Sequence, residues 1–183
     1  MERASRLSCV LLPVLFLLPV SAPARADADP GLVLDLDRER FLLTTRDEQS
    51  GDVGPRIRIA LGSPANDTPN GDHAVGRVIL NPAWHPSADA LAAGSRPLPP
   101  SLDGPMGVAK IPFARTGAIA LHGGGDPRVL GKPISGGCVR ARDADLLRVI
   151  AWLRERDALA EPLAQPDGEV HRSFQRPVRL RVH

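Results

Sequence analysis

Apolar and polar residues alternate along much of the chain, and this pattern predicts short β-strands. The alternation is clearest at residues 56–61, where Ile57, Ile59 and Leu61 share one face. The other predicted strands, of which the first two form a hairpin, are 32–36, 40–45, 74–80, 108–113, 118–122 and 176–182.

Two helices are predicted, and one of them is long. Residues 143–156 repeat their apolar positions at the helical period and place two aspartates in the first turn, where carboxylates complement the helix dipole. The predicted apolar stripe consists of Leu146, Leu147, Ile150 and Leu153. A short helix is predicted to begin after Ser87 as N-cap and to end at Ala93, before Gly94.

The connection at residues 81–107 is long for a compact domain, and loops of this length usually carry function or cover a site. It contains two large apolar side chains, Trp84 and Met106. We interpret it as a lid or groove wall in which both are candidate substrate-binding residues. A disordered insertion is the alternative, and it is disfavoured because both side chains would be costly to leave in water.

Composition favours many short strands joined by turns. The 17 glycines and 19 prolines are spread along the chain rather than gathered in one linker. No internal repeat or low-complexity tract divides the sequence. We therefore expect residues 27–183 to form a single mainly-β domain with one main α-helix, which follows Cys138.

The first 26 residues are predicted to be a signal peptide. Arg3 and Arg6 supply positive charge, residues 7–20 are mainly apolar, and residues 24–26 (Ala-Arg-Ala) match the small-x-small pattern before a cleavage site. The apolar run is shorter than the roughly 20 residues that span a bilayer. We expect export and no membrane attachment after cleavage, with an uncleaved anchor as the alternative.

The charge of the exported chain is close to zero. The sequence has 23 basic and 21 acidic residues, and the leader holds three arginines and one glutamate, so 20 of each remain. This balance argues against a nucleic-acid or anionic-membrane partner.

Cysteine usage draws attention to one thiol. Cys9 lies within the leader, so Cys138 has no intramolecular disulfide partner in the exported chain. A lone thiol in an oxidising compartment is open to oxidation and mispairing. Its retention suggests a function, although free cysteines are often small buried hydrophobic residues.

His122 is the best candidate partner for Cys138. A cysteine nucleophile needs a neighbour that accepts its proton or stabilises its charge. His122 ends a predicted strand, and Cys138 follows in the same strand-loop unit, so the fold can fix their separation. Ala118 and Ala120 share the predicted face of His122 and leave room for a substrate.

The residues around Cys138 suit acyl transfer. Gly136 and Gly137 permit a backbone turn that directs the Gly137 and Cys138 N–H groups towards one point, as an oxyanion hole requires. Arg140 suits a substrate carboxylate. Alternatively, Arg140 is a structural partner of an aspartate in the first turn of the following helix.

Other chemistries are disfavoured by the pattern. His122 and the three glycines after it look like the oxyanion motif of lipases, but Ser135 does not lie in a G-x-S-x-G sequence. No CxxC, HExxH or dinucleotide fingerprint is present, and no histidine pair has metal-ligand spacing. We therefore expect neither a bound metal nor a cofactor.

Four short motifs occur in order along the chain. They are Thr68-Pro69-Asn70-Gly71, Gly104-Pro105-Met106-Gly107, His122-Gly123 and Ser135-Gly136-Gly137-Cys138-Val139-Arg140. With this order and spacing, the sequence resembles the L,D-transpeptidase catalytic domain, or YkuD domain, of bacterial cell-wall enzymes. The resemblance runs from about residue 32 to the helix near residue 157, and it departs where many members have histidine in place of Gly136.

The resemblance implies a β-sandwich or barrel-like catalytic fold and a thiol acyltransferase of peptidoglycan stem peptides. It implies that Cys138 attacks the L-centre of a diaminopimelate residue, releases D-alanine and forms a thioester, which a second stem resolves as a 3→3 cross-link. His122 carries over as the base, with the Gly123 carbonyl orienting its ring. Loop, oxyanion and substrate-side positions carry over to Ser135, Gly137 and Arg140.

Stem peptides are then the expected donor and acceptor, in the periplasm or cell wall. A wall-anchored lipoprotein, a free D-amino acid or water are other acceptors that the resemblance implies, and carbapenems are expected to acylate the same thiol. The alternatives are a same-fold hydrolase that trims stem peptides and a catalytically silent wall-binding module. A sortase-like enzyme is disfavoured because its cysteine and histidine are usually far apart in sequence.

Overall fold

The computed structural model describes residues 30–114 and 118–183, and the predicted signal peptide at 1–26 lies outside these residues. The predicted mainly-β fold class is confirmed. In chain order the elements are β1 Leu32–Asp37, β2 Leu42–Asp47, β3 Val53–Arg58, β4 Leu61–Gly62, β5 Gly71–Ala74, β6 Arg77–Leu80, α1 Ala88–Ala92, β7 Ala109–Phe113, β8 Ile119–His122, β9 Pro133–Ser135, β10 Val139–Arg140, α2 Asp143–Arg154, β11 Leu163–Ala164, β12 Val170–Ser173 and β13 Val178–Val182.

The first sheet has five strands in the order β3-β2-β1-β13-β5. The predicted hairpin is confirmed, because β1 pairs antiparallel with β2. On its other side β1 runs parallel to β13, the last strand of the chain. Leu32, Leu34, Leu36 and Leu180 are fully buried, so the sheet supplies one wall of the core.

The second sheet has six strands in the order β10-β8-β7-β6-β12-β11. Within it, β8 pairs antiparallel with β7 and parallel with β10. Ile111, Phe113 and Leu121 are buried and belong to the hydrophobic core. The strands β4 and β9 form a separate parallel pair.

The helix α2 packs on the core through Leu146, Val149, Ile150, Trp152 and Leu153. Leu147 is 45% exposed, so its predicted place in the apolar stripe is wrong. The stripe follows the i, i+3, i+4, i+7 spacing from Leu146, and Leu147 lies about 100° away around the helix. Neither helix in the described part of the chain is long and apolar enough to cross a membrane.

The strand predicted at 56–61 is divided, which corrects the sequence prediction. The strand β3 ends at Arg58, and β4 begins at Leu61 in a different sheet. Ile57, Ile59 and Leu61 are all buried, as predicted. The alternation of apolar and polar residues therefore indicates which side chains face the core. It does not indicate that the chain passes from one sheet to another within this segment.

The strand predicted at 74–80 is divided in the same way. The strand β5 ends at Ala74 in the first sheet, and β6 begins at Arg77 in the second. Gly76 lies at the crossing, where its carbonyl accepts a hydrogen bond from the Phe174 amide. A glycine inside a strand pattern often marks such a bend.

The connection at 81–107 has its own internal contacts. The predicted short helix is confirmed as α1, with the Ser87 hydroxyl accepting a hydrogen bond from the Ala90 amide. Trp84 and Leu98 exchange two backbone hydrogen bonds in an antiparallel bridge. These contacts close the connection into a loop beside the second sheet.

Candidate active site

Cys138 directly precedes β10, and His122 is the last residue of the neighbouring strand β8. The strands β10 and β8 are parallel, with Val139 opposite Leu121 and Arg140 opposite His122. Side chains alternate between the faces of a sheet, and the fully buried Val139 and Leu121 point into the core. By the same alternation Arg140 and His122 share the other face, and we expect Cys138, one residue before Val139, to point the same way, where a diagonal neighbour is within reach of an imidazole ring.

The His122 ring is oriented by a backbone carbonyl and is uncharged at neutral pH. Its Nδ1 lies 2.7 Å from the Gly123 oxygen, which can only accept, so Nδ1 carries the proton and Nε2 is free to act as a base. Burial is the main reason that the pKa of His122 falls to about 4. The charges of Arg140 and Lys110 act in the same direction, while the Gly123 bond and Asp143 oppose it.

Cys138 is a half-buried free thiol. Burial raises the pKa of this thiol, and a backbone hydrogen bond from Ala120 and the charge of Arg140 lower it by smaller amounts. A raised thiol pKa beside an imidazole of low pKa gives a neutral pair at physiological pH. Proton transfer from Cys138 to His122 is therefore expected during nucleophilic attack rather than before it.

A turn closed by Ser135 presents Cys138. The Ser135 hydroxyl donates to the Cys138 carbonyl at 2.5 Å and accepts from the Gly137 amide at 3.2 Å. The Gly137 amide of the predicted oxyanion pair is thus bound to Ser135 in this structure. The Cys138 amide makes no hydrogen bond within residues 30–114 and 118–183, which leaves it available to an oxyanion.

Thr68 anchors this turn from a distant part of the chain, and sequence reasoning missed its role. Its fully buried hydroxyl donates to the Gly137 carbonyl at 3.0 Å and accepts from the Gly62 amide at 2.9 Å. The Arg38 guanidinium in turn donates to the Thr68 carbonyl. The signal in the sequence was the Thr68-Pro69 turn motif, which gives no indication of these partners.

Asp143 anchors the loop after His122 and is the second residue whose role was missed. Its Oδ1 accepts hydrogen bonds from the Val108 amide at 2.9 Å and the Gly124 amide at 3.0 Å. A Cβ at position 123 would lie 2.0 Å from the same oxygen, so Gly123 permits this close approach. The start of α2 thereby fixes the backbone that orients the imidazole.

Arg140 lies directly opposite His122 in the strand register. Its positive charge acts on both His122 and Cys138. Its Nε is buried and has no hydrogen-bond partner within the described residues. The alternative role as a partner of the α2 aspartates is not observed, because Asp145 pairs with two other arginines and Asp143 binds backbone amides.

Lys110 lies opposite His122 on the other neighbouring strand, β7, and was not singled out by the sequence. Its Nζ donates to the Ala83 carbonyl at 3.0 Å and to Glu169 at 3.2 Å. Glu169 also accepts from the Ala83 amide at 2.8 Å. These bonds attach the connection at 81–107 to the strand next to the candidate site.

The connection reaches the site region through both of its ends. Trp84, which is half-buried, follows Ala83 at one end. Met106, also half-buried, precedes Gly107 at the other end, where an added Cβ on Gly107 would lie 2.2 Å from the Gly124 amide. Their predicted substrate-binding roles stay predictions.

No group of three or more histidine, cysteine, aspartate or glutamate side chains in the described ranges is arranged to hold a metal ion.

Comparison with known proteins gives a family match over most of the chain. The model of the L,D-transpeptidase catalytic domain matches residues 29–168. The chain is 30% identical over 149 residues to the probable L,D-transpeptidase YcfS of Escherichia coli strain K12. That alignment covers 76% of this chain and 44% of the relative, so the chain spans less than half of the relative's length.

Solved L,D-transpeptidase structures share the fold at low sequence identity. L,D-transpeptidase 3 from Mycobacterium tuberculosis matches with a TM-score of 0.52 and 14% identity, over 83% of this chain and 61% of that one. The same enzyme in complex with a faropenem-derived adduct matches with a TM-score of 0.51 and 14% identity, over 82% of this chain and 60% of that one. The catalytic domain of the E. faecium L,D-transpeptidase matches with a TM-score of 0.51 and 17% identity, over 84% and 98%.

These structures support the fold alone, whereas the family model extends over most of the sequence and includes all four ordered motifs. The chain therefore belongs to the L,D-transpeptidase catalytic domain family.

Proposed function

We propose that the chain is an exported cysteine acyltransferase, an L,D-transpeptidase that acts on peptidoglycan stem peptides through a thioester at Cys138. The observation that supports this most strongly is the parallel pairing of β10 with β8, which brings the residue after Cys138 opposite Leu121, next to a His122 ring that Gly123 orients. Membership of the family supports the reaction class.

In the acylation step, the Cys138 sulfur attacks the carbonyl at the L-centre of a diaminopimelate residue while His122 Nε2 takes the thiol proton. The Cys138 amide stabilises the oxyanion that forms. The carbon–nitrogen bond then breaks, and the departing amine of D-alanine takes the proton from His122. The acyl group remains on sulfur as a thioester.

In the transfer step, the amine of a second stem peptide attacks the thioester. His122 takes a proton from this amine, the carbon–sulfur bond breaks, and the proton returns to the sulfur. The product is a 3→3 cross-link, and the enzyme is restored. One amide bond is broken and one is formed, so no bound cofactor enters the balance.

Several residues support these steps in the proposal. Ser135 holds the turn that carries the thiol, and Gly136 leaves open space above it. Arg140 is assigned to a substrate carboxylate or to the developing negative charge, because its charge acts on both reacting groups. Trp84 and Met106 are assigned to the groove wall.

We assign residues 27–183 to one catalytic domain that follows a signal peptide at 1–26 and works in the periplasm or cell wall. Stem peptides are the donor and the acceptor, and a wall-anchored lipoprotein is a further acceptor. Carbapenems are proposed to acylate Cys138, since a strained β-lactam carbonyl is open to the same attack. The faropenem-derived adduct of the M. tuberculosis relative supports this proposal by analogy.

Incubation of the purified domain with a diaminopimelate-containing tetrapeptide tests the function. Mass spectrometry should detect an amide dimer that has lost one D-alanine, and the Cys138→Ala variant should form none. A free tripeptide acid as the sole product would indicate the hydrolase. Binding to cell-wall sacculi with neither product would indicate the silent wall-binding module.

A further inference from the structure

Five side chains form a row across the second sheet, on the face that carries His122. Strand pairing places each one opposite the next, in the order Arg140, His122, Lys110, Ile79 and His171. Residues that are paired in this way project from the same face. By alternation Ile79 points away from its neighbour Val78, which belongs to the hydrophobic core, yet Ile79 is only 3% exposed. Other residues therefore cover the middle of this row.

Lys110 and Glu169 form a buried ion pair on this face. Their side chains are 13% and 9% exposed, and Lys110 Nζ lies 3.2 Å from Glu169 Oε1. Glu169 Oε2 accepts a hydrogen bond from His171 Nε2 at 2.8 Å. Burial opposes ionisation of Glu169, but hydrogen bonds from His171 and Ala83 and the charge of Lys110 outweigh it and lower the pKa to about 2. Because the two charges match, the pair has no net charge to offer to a substrate.

The ion pair holds both backbone groups of Ala83, at the start of the connection at 81–107. Lys110 Nζ donates to the Ala83 carbonyl at 3.0 Å, and the Ala83 amide donates to Glu169 Oε1 at 2.8 Å. We call this arrangement the Ala83 clamp. The next residue, Trp84, exchanges two backbone hydrogen bonds with Leu98. A continuous path of hydrogen bonds therefore runs from the row into the connection.

The other end of the connection is held beside the loop that follows His122. Asp143 Oδ1 accepts hydrogen bonds from the Val108 amide, just after the connection, and from the Gly124 amide in that loop. One end is thus held by Lys110, which lies opposite His122 in the sheet, and the other by the loop after His122. Both ends of the predicted groove wall are fixed next to the candidate base.

Stability alone does not account for a buried ion pair at this place. Desolvation of two charges offsets their attraction, and an apolar pair of similar volume is often as stable. An apolar pair, however, supplies neither a donor for the Ala83 carbonyl nor an acceptor for the Ala83 amide. We propose that Lys110 and Glu169 are positioning residues for the peptide donor, an inference that rests on the proposed function. Through the Ala83 clamp they hold Trp84 and the connection as one wall of the groove beside His122.

Fluorine NMR of protein labelled with fluorotryptophan tests the Ala83 clamp without any substrate. The chain has two tryptophans, Trp84 and Trp152, so Trp84→Phe assigns both resonances. The double variant Lys110→Met/Glu169→Met keeps unbranched side chains of similar length and removes the donor and the acceptor. Its Trp84 resonance should move and become more sensitive to exchange of the solvent into D₂O, while the Trp152 resonance should not.

Asp47→Asn is the matched control, because Asp47 is a carboxylate of similar burial in the first sheet. Its side chain is 8% exposed and lies 3.9 Å from Arg156, whose guanidinium carbon is 4.1 Å from the centre of the Trp152 ring. This control should move the Trp152 resonance and leave the Trp84 resonance in place. A Trp84 resonance that stays unchanged in the double variant would overturn the clamp.

Steady-state kinetics with a diaminopimelate-containing tetrapeptide test the positioning role. The double variant should raise KM about tenfold with little change in kcat, as expected when binding contacts are lost but the reacting groups stay in place. Carbapenem acylation should fall by a smaller factor than kcat/KM for the tetrapeptide, because a compact inhibitor contacts less of the groove wall. Asp47→Asn should leave KM unchanged.

A displaced Trp84 resonance together with an unchanged KM would overturn the positioning role. If the wild type forms no product from the tetrapeptide, the proposed function fails. The Kd of the tetrapeptide for the Cys138→Ala variant, with and without the double substitution, then decides the positioning role separately. A Kd raised about tenfold would support it, and an equal Kd or no binding would overturn it.

Discussion

Gly136 and Gly137 are adjacent at the candidate nucleophile but differ in what they permit. Gly137 has φ of +109°, and a Cβ there would lie 2.8 Å from Ile119 Cδ1. Gly136 has no heavy atom within 4 Å of an added Cβ. The position where many family members have histidine is therefore open to a side chain, whereas the next position requires glycine.

This difference predicts opposite outcomes for two substitutions. Gly136→His should change the free energy of unfolding by less than about 0.5 kcal/mol. Gly137→Ala should lower it by about 1–3 kcal/mol because a non-glycine residue is strained there. Gly137→Ala should also slow carbapenem acylation, since it distorts the turn that presents Cys138. Urea unfolding and acylation kinetics measure both effects, and equal behaviour of the two variants would contradict the described turn.

The sequence indicated the candidate reacting pair but not the residues that hold it. Cys138 and His122 lie in local motifs with a short loop between them, so their chemistry was open to prediction. Thr68 and Asp143 act through backbone groups far away in the sequence. Nothing local marks a threonine or an aspartate as the partner of a distant amide, because that contact depends on how the sheets come together.

At the scale of elements, the small pair β4 and β9 connects the first half of the chain to the turn that carries Cys138. Gly62 lies opposite Ser135 in this pair. The Ser63 amide donates to the Ser135 carbonyl at 2.9 Å, and Thr68 closes the arrangement on Gly137. The turn is therefore supported from its outer side as well as by the second sheet.

Thr68→Val keeps the side-chain shape and removes the hydroxyl. The buried Gly62 amide and Gly137 carbonyl then lose their partner, which should lower the free energy of unfolding by about 1–3 kcal/mol. We expect carbapenem acylation to slow about tenfold through displacement of the turn. Denaturant unfolding and acylation kinetics provide the two measurements.

Thr45→Val is the matched control for this prediction. Thr45 is also fully buried, and its hydroxyl donates to the Pro55 carbonyl at 3.3 Å within the first sheet. The control should lose stability without losing the acylation rate. Equal acylation rates in the Thr68 and Thr45 variants would show that Thr68 does not position the turn that carries Cys138.

The apolar repeat in the sequence predicts the longer elements but not the shortest strands. The hairpin and α2 are long enough for their apolar repeat to identify them. The strands β4, β10 and β11 have two residues each, which is too short for any period. The alternation is interrupted at the change of sheet near Gly76, because Val75 is buried before it and the adjacent Val78 and Ile79 are both buried after it.

At the scale of the whole molecule, the fold keeps an ionisable ring uncharged in its interior. His122 is 4% exposed, and its pKa of about 4 lies below the ordinary value of 6.5. The unfolded chain therefore binds a proton at this residue between pH 6.5 and 4, and the folded chain does not. Stability must fall as the pH drops through this window, and the contribution of His122 is constant above and below it.

His122→Gln removes this titration and serves as the reference. Relative to this variant, the wild type should lose up to about 3 kcal/mol of unfolding free energy between pH 7 and pH 4. Carboxylates such as Glu169 titrate in both proteins and cancel. Urea unfolding at several pH values measures the difference, and a pH-independent difference would contradict a buried neutral imidazole.

Intact-mass spectrometry after incubation with a carbapenem tests the central claim most directly, because it reports which chain carries a covalent acyl group. The wild type should gain the mass of one inhibitor and Cys138→Ala none, while His122→Ala should gain it about 10²–10⁴-fold more slowly. Equal labelling of the Cys138→Ala variant would contradict the assignment of Cys138 as the nucleophile.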